Sequence, residues 1–125
     1  MVLAALFFMH RYFFFVDPSF ATSATIRYHY AGKHIDAKVS TSDLKALKEI
    51  LHGYRWYDDG LSCGFSMDTS IRLSGNGRSI TFLPACDACP NFRTGNTGWY
   101  IEVPEPDRKR FERIVAKYGM TFPCE

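Results

Sequence analysis

The chain carries almost no surplus of charge. Its 15 basic residues face 13 acidic ones, for a net charge of +2. A nucleic-acid binder shows a basic patch or stripe. Here the densest basic run, Arg108-Lys109-Arg110 with Arg113 and Lys117 beyond it, is flanked or interrupted by Glu102, Glu105, Asp107 and Glu112. That pattern is a solvated helix face, and no nucleic acid is expected as a partner. The sequence has no glycine-rich phosphate loop, no HExxH, no GxSxG and no convincing pair of carboxylates. Asp58-Asp59-Gly60 lacks the alternating oxygen ligands of a calcium loop. Repeats and low-complexity tracts are missing too. What remains is ample for a fold: of 125 residues, 46% are hydrophobic and 16% aromatic, too apolar for disorder and the right length for one domain. A domain this small buries only about 60–70% of its unfolded surface, so covalent staples are useful to it.

Long apolar runs are also scarce, with one exception at the N-terminus. Met1 to Val16 is apolar except for His10 and Arg11, and Asp17-Pro18 comes next. It falls short of the roughly 20 residues that span a bilayer as a helix. Ser19-Phe20-Ala21 places small residues where a signal peptidase cuts, although a basic leading region is missing. The expectation is a signal or anchor segment over 1–21, in contact with a membrane, ahead of a single cysteine-stapled domain over 22–125. A buried first helix or strand of a cytosolic domain and a surface-lying amphipathic segment are the competing readings. An exposed aromatic run such as Tyr12-Phe13-Phe14-Phe15 would aggregate or bind something.

Beyond Thr25 the pattern has period two. Ile26, Tyr28 and Tyr30 alternate with Arg27 and His29, and Ile35, Ala37 and Val39 with His34, Asp36 and Lys38, around an Ala31-Gly32-Lys33 turn. A helix comes after it, with Ser40 as its cap, Asp43 three residues on, Val39 stapled to Leu44, and Gly53 at its C-terminal end. Leu44, Leu47, Ile50 and Leu51 are its apolar stripe. Tyr54 to Gly60 reads as a loop, and Cys63, Phe65 and Met67 as a short strand. Ile71 and Leu73 run into a Gly75-Asn76-Gly77 hairpin turn and return through Ile80 and Phe82. Trp99, Ile101 and Val103 mark a last strand. A second helix begins near Pro104, with Pro106 at its first position, and buries Phe111, Ile114, Val115 and Tyr118 before Gly119 ends it. The fold class expected is α+β, an antiparallel sheet of about five strands with two helices packed on it in the order ββα-βββα.

Cysteine is sparse but even in number: Cys63, Cys86, Cys89 and Cys124. In a small exported chain this reads as two disulfides, with three possible connectivities. Pairing Cys86 and Cys89 with Cys63 and Cys124, one each, closes longer loops and is preferred over a bond between Cys86 and Cys89. One alternative is a structural zinc site using all four thiolates. Another is a redox dithiol at Cys86-Asp87-Ala88-Cys89, which needs a helix directly after the motif; Pro90 to Asn96 is turn-rich instead. A nucleophilic cysteine would need a histidine base, and His29, His34 and His52 sit in no motif. No catalytic residue is assigned. The remaining candidates are Tyr54, Trp56 and Tyr57, which with Arg55, Asp58 and Asp59 can bind a sugar or an anchor residue of a protein. The bland reading packs Tyr54 and Trp56 over the end of the first helix.

Ser62-Cys63-Gly64-Phe65, Ala85-Cys86-Asp87-Ala88-Cys89-Pro90 and Tyr118-Gly119-Met120-Thr121-Phe122-Pro123-Cys124 together form a pattern. It resembles that of small, uncharacterised extracytoplasmic proteins of Gram-positive bacteria, secreted or membrane-anchored. The resemblance covers roughly Thr25 to Cys124. It implies export and an ordered role for all four cysteines, and it implies no activity. The expected function is therefore binding rather than catalysis, in an extracytoplasmic domain held by two disulfides. A structural zinc module and a thiol–disulfide oxidoreductase are the alternatives.

Overall fold

The computed structural model describes residues 15–30, 32–58, 64–65, 68–85, 89–95 and 97–121. Met1 to Phe14, the greater part of the apolar leader, lies outside the described residues. The described chain is part of the packed structure already at Phe15. Strand β1 (Phe15–Val16) pairs antiparallel with Gly53 and Tyr54. Asp17 then accepts the Ser19 amide at 3.0 Å and Pro18 opens a 3-10 helix over Pro18–Phe20, folding the chain back onto the domain. Val16 and Ala21 are buried in the core, and Phe20 packs against it. Lys48 Nζ donates to the Ala21 carbonyl at 2.9 Å, and Asn76 Nδ2 to that of Phe20 at 2.9 Å. Residues 15–21 thus pack against the domain expected over 22–125. No helix among the described residues is long and apolar enough to cross a membrane.

Strands β2 (Ser23–Tyr30) and β3 (Lys33–Lys38) form the expected hairpin, with Ile26 opposite Ala37 and Tyr28 opposite Ile35. Ala24, Ile26 and Tyr28 are buried while Thr25 and Arg27 are exposed, so the alternation in the sequence is the alternation of faces. Strands β4 (Gly53–Tyr54) and β5 (Trp56–Tyr57) come after the first helix. Next are β6 (Thr69–Gly75) and β7 (Arg78–Pro84), joined at Asn76 (φ 51°) and Gly77 (φ 73°). Positive φ at both central positions is the type I′ geometry that an Asn-Gly pair favours. Strands β8 (Asn91–Thr94) and β9 (Trp99–Glu102) complete a seven-stranded antiparallel sheet in the order β3-β2-β6-β7-β8-β9-β5, and β1 and β4 form a separate two-stranded sheet.

The α+β class, the antiparallel pairing and the two helices match expectation, whereas the strand count and order do not. The turn expected after Pro90 is replaced by β8. Its Asn and Arg residues are poor markers of a strand, and the strand-favouring Phe92, fully buried, and Thr94 are a short signal flanked by Pro90 and Gly95. The expected loop over Tyr54 to Gly60 contains two-residue strands that change partner from β1 to β9. Phe65 makes an isolated bridge with Ala85; Cys63 and Met67 of that expected strand lie outside the described residues.

Helix α1 (Thr41–Ile50) is capped as anticipated, with the Asp43 amide donating to Ser40 Oγ at 3.2 Å, and both Val39 and Leu44 are buried. The other half of the capping box is replaced. Ser40 N donates to the Tyr118 hydroxyl at 2.9 Å, and the Asp43 carboxylate turns to Lys117 and Tyr118. Leu51 caps the C-terminal end, so Gly53 lies beyond the helix, where it pairs with Val16. Helix α2 (Glu105–Ala116) starts one residue before Pro106, with Pro104 as its cap. Past its cap at Lys117 the chain turns at Gly119 (φ 90°), where the Gly119 amide donates to the Ala116 carbonyl and the Met120 amide to that of Val115. Leu44, Leu47 and Ile50 of α1 and Phe111, Ile114 and Val115 of α2 share one core with Ile26, Ile71, Phe82, Phe92 and Ile101 of the sheet. The Phe92 and Phe111 rings meet edge-on at 4.9 Å, a geometry that adds about 0.5–1.5 kcal/mol to their burial. The helices cover one face of the sheet. The other face carries Thr25, Arg27 and Arg72, all exposed.

Candidate binding surface

The sheet ends in aromatic residues. Strand β5 is its last strand, and Trp56 and Tyr57 are each 58% exposed, with Tyr54 beside them at 47%. These are the large hydrophobic side chains that the described part of the molecule leaves in water. Both Tyr54 and Trp56 keep about half of their surface in water rather than being covered by the end of the first helix. Tyr54 instead meets Phe15 edge-on, with ring centres 5.2 Å apart, across the β1–β4 ladder. Trp56 stands opposite Tyr100 in the β5–β9 register, and Tyr57 opposite Trp99. Partners in register share a face, so each side of this sheet end carries one tyrosine and one tryptophan.

The support beneath these rings is well fixed. Tyr57 and Trp99 meet at 5.2 Å in an edge-on contact, and the Arg55 guanidinium lies 5.0 Å from the centre of the Trp99 ring. Burial of Arg55 lowers its pKa from the ordinary arginine value, although the group keeps its charge. The Asp58 amide donates to the Gly98 carbonyl at 2.9 Å, which extends the pairing past Tyr57. In the turn before β9, Thr97 Oγ1 donates to the Thr94 carbonyl at 2.9 Å, and Thr94 Oγ1 to the Trp99 carbonyl at 3.1 Å. Burial raises the Tyr100 pKa, and the nearby carboxylates of Glu102 and Asp58 push it the same way, so its hydroxyl stays protonated. The surface therefore offers aromatic faces, a guanidinium and a phenol donor on a rigid strand pair. The sequence pattern marks Trp99 only as part of a strand and does not single out Tyr100. The signal for them is the adjacent pair itself, since two neighbours on a strand must point to opposite faces.

Cys89, just before β8, is disulfide-bonded. Cys63, Cys86 and Cys124 lie outside the described residues, as do Asp59 and Asp87. The helix that a redox Cys-x-x-Cys needs is not there, because β8 starts two residues after Cys89. Among the described residues no group of three or more His, Cys, Asp and Glu side chains is placed to hold a metal ion. His29 and His34 face each other in register with ring centres 4.7 Å apart, and His29 Nε2 lies 3.0 Å from Asp36 Oδ2. His52 is exposed. Comparison with protein-family models, with curated proteins and with solved structures finds no match for the chain.

Proposed function

We propose that the chain is an extracytoplasmic binding domain that recognises a protein partner through Tyr54, Trp56 and Tyr57. One observation carries the reading: Tyr54, Trp56 and Tyr57 stand about half exposed or more at one end of the sheet, with Trp56 and Tyr57 on opposite faces of its last strand, and they are the exposed large hydrophobic side chains among the described residues. Burying such rings in a partner is worth far more than leaving them in water, and Trp, Tyr and Arg are the residues on which protein interfaces concentrate their energy. Arg55 and Asp58 supply charge at the rim, where it sets orientation and association rate.

Two disulfides among Cys63, Cys86, Cys89 and Cys124 belong to the same proposal, and with them maturation outside the reducing cytoplasm. The bond at Cys89 supports this over a four-thiolate zinc site, since a sulfur in a disulfide is not a thiolate ligand. The Phe65–Ala85 bridge lies close in sequence to Cys63 and Cys86 and favours pairing those two, leaving Cys89 for Cys124. The apolar leader over Met1 to Phe14 is the proposed membrane contact.

The test uses a displayed library of random peptides, selected on the full oxidised chain. Peptides should emerge whose binding shifts the indole resonance of Trp56 and the amides of β5 and β9. Failure to enrich any sequence, or enrichment of peptides that perturb only other regions, would refute recognition at this edge.

A further inference from the structure

The helix-free face of the sheet holds a groove of about 370 Å³, lined by side chains from β2, β3, β6 and β7 and by Gly95. That volume suits a small organic molecule. We infer that this groove binds a small molecule carrying a tetrahedral oxyanion, a phosphate or sulfate group, between Arg27 and Arg72. The site is separate from the aromatic edge and does not depend on the reading given to it.

Register places the groups. Arg27 of β2 stands opposite Ser70 of β6, and Thr25 opposite Arg72, so the two arginines occupy diagonal positions on one face, where such neighbours sit about 7–8 Å apart or somewhat less. Side chains of that length close from such a separation onto a single group of oxygens, and guanidinium forks match oxyanion geometry. Arg72 is also opposite Thr81 of β7. Ser70, Thr25 and Thr81 thus bring hydroxyl donors to the same groove, whose floor includes the buried Leu83.

Charge completes the argument. Neither Arg27 nor Arg72 has an ion pair or hydrogen bond with any described residue, whereas Arg110 pairs with Glu49 at 2.8 Å. The acidic side chain in the lining, Asp36, stands opposite Arg27 in the β2–β3 register and is hydrogen-bonded to His29 at 3.0 Å. A third guanidinium borders the floor. Arg93 stands opposite Leu83, is stacked 4.6 Å from the centre of the Phe65 ring, and has a buried Nε with no hydrogen-bond partner among the described residues. A face with several cations and one engaged carboxylate is complementary to an anion.

The experiment is a titration of the oxidised full chain with inorganic phosphate, inorganic sulfate and phenyl phosphate at constant ionic strength, monitored by backbone amide shifts. Sodium chloride serves as the control. Saturable shifts centred on Arg27, Ser70, Arg72 and Thr81 are expected. Tighter binding of phenyl phosphate assigns the site to an organic ester, and equal binding assigns it to the free ion. Arg27→Gln and Arg72→Gln should each weaken the midpoint about tenfold, the loss of one charge-assisted contact. Both side chains are exposed, so thermal unfolding of the variants should match the parent. Linear shifts that chloride reproduces, or an unchanged midpoint in the double variant, would overturn the assignment.

Discussion

Removing one oxygen atom from Tyr118 should loosen the joint between the two helices. Its hydroxyl donates to Asp43 Oδ2 at 2.7 Å and accepts the Ser40 amide at 2.9 Å, so it bridges the start of α1 to the end of α2. Asp43 is buried, and its other oxygen accepts Lys117 Nζ at 2.8 Å. In Tyr118→Phe the exposed Ser40 amide turns to water at little cost. Asp43 has no such exit and loses a donor to a buried charge, an interaction worth about 1.5–3 kcal/mol. The expected loss is therefore about 2 kcal/mol, read as a lower urea midpoint at pH 7 with an unchanged slope.

The pH dependence arises from the same contacts. The Lys117 ammonium first, and the Tyr118 hydroxyl next, hold the Asp43 carboxyl below its usual range. A depressed folded value means that the stabilisation is fully present above the unfolded value, about 3.9, and is lost as pH falls through the folded one. The cost of Tyr118→Phe should accordingly shrink below about pH 4. In an Asp43→Asn background it should fall by about 1 kcal/mol or more, because the two residues are in direct contact. A cost under about 0.5 kcal/mol at pH 7, or the same cost in both backgrounds, would refute the reasoning.

Gly75→Ala should destabilise by about 1–3 kcal/mol in the same assay, since its Cβ would lie 2.6 Å from Thr22 N and 2.9 Å from the Phe20 carbonyl oxygen, both backbone atoms with little room to give. A neutral result would mean that the segment before β2 does not lie against this hairpin. Intact mass of the non-reduced, alkylated protein should reveal no modified cysteine, and peptide mapping should pair Cys63 with Cys86 and Cys89 with Cys124. Reducing either bridge should cost about 2–5 kcal/mol. A free thiol, or zinc that leaves on chelation with unfolding, would reverse that part of the account.

Elements with a strong local signature are legible in the sequence. The β2–β3 hairpin announces itself by alternation, the β6–β7 turn by Asn76-Gly77, and α1 by Ser40 and its leucine stripe. The short strands are not, because their stability is tertiary. Strand β8 is held by neighbours on both sides and needs only Phe92 to face the core. The apolar Phe15-Val16 gives no sign of its neighbours, because hydrophobicity alone does not say what will cover it; here Gly53, Tyr54 and the core do. At the binding surface, Tyr54, Trp56 and Tyr57 stand out as aromatics beside charges. Trp99 and Tyr100 join them only through the β5–β9 register. The groove is illegible for the same reason. Arg27 and Arg72 are far apart in sequence and meet only through the β2–β6 ladder.

The most direct test of the aromatic edge sets affinity against stability in a single variant, Trp56→Ala. Its ring is 58% exposed, so removal should leave the unfolding free energy within about 0.5 kcal/mol of the parent. Affinity for a peptide selected on the parent domain should drop at least about tenfold, as expected when an anchor ring is lost. A variant that unfolds more easily yet binds as before would mean that Trp56 serves the fold and that the recognition surface lies elsewhere.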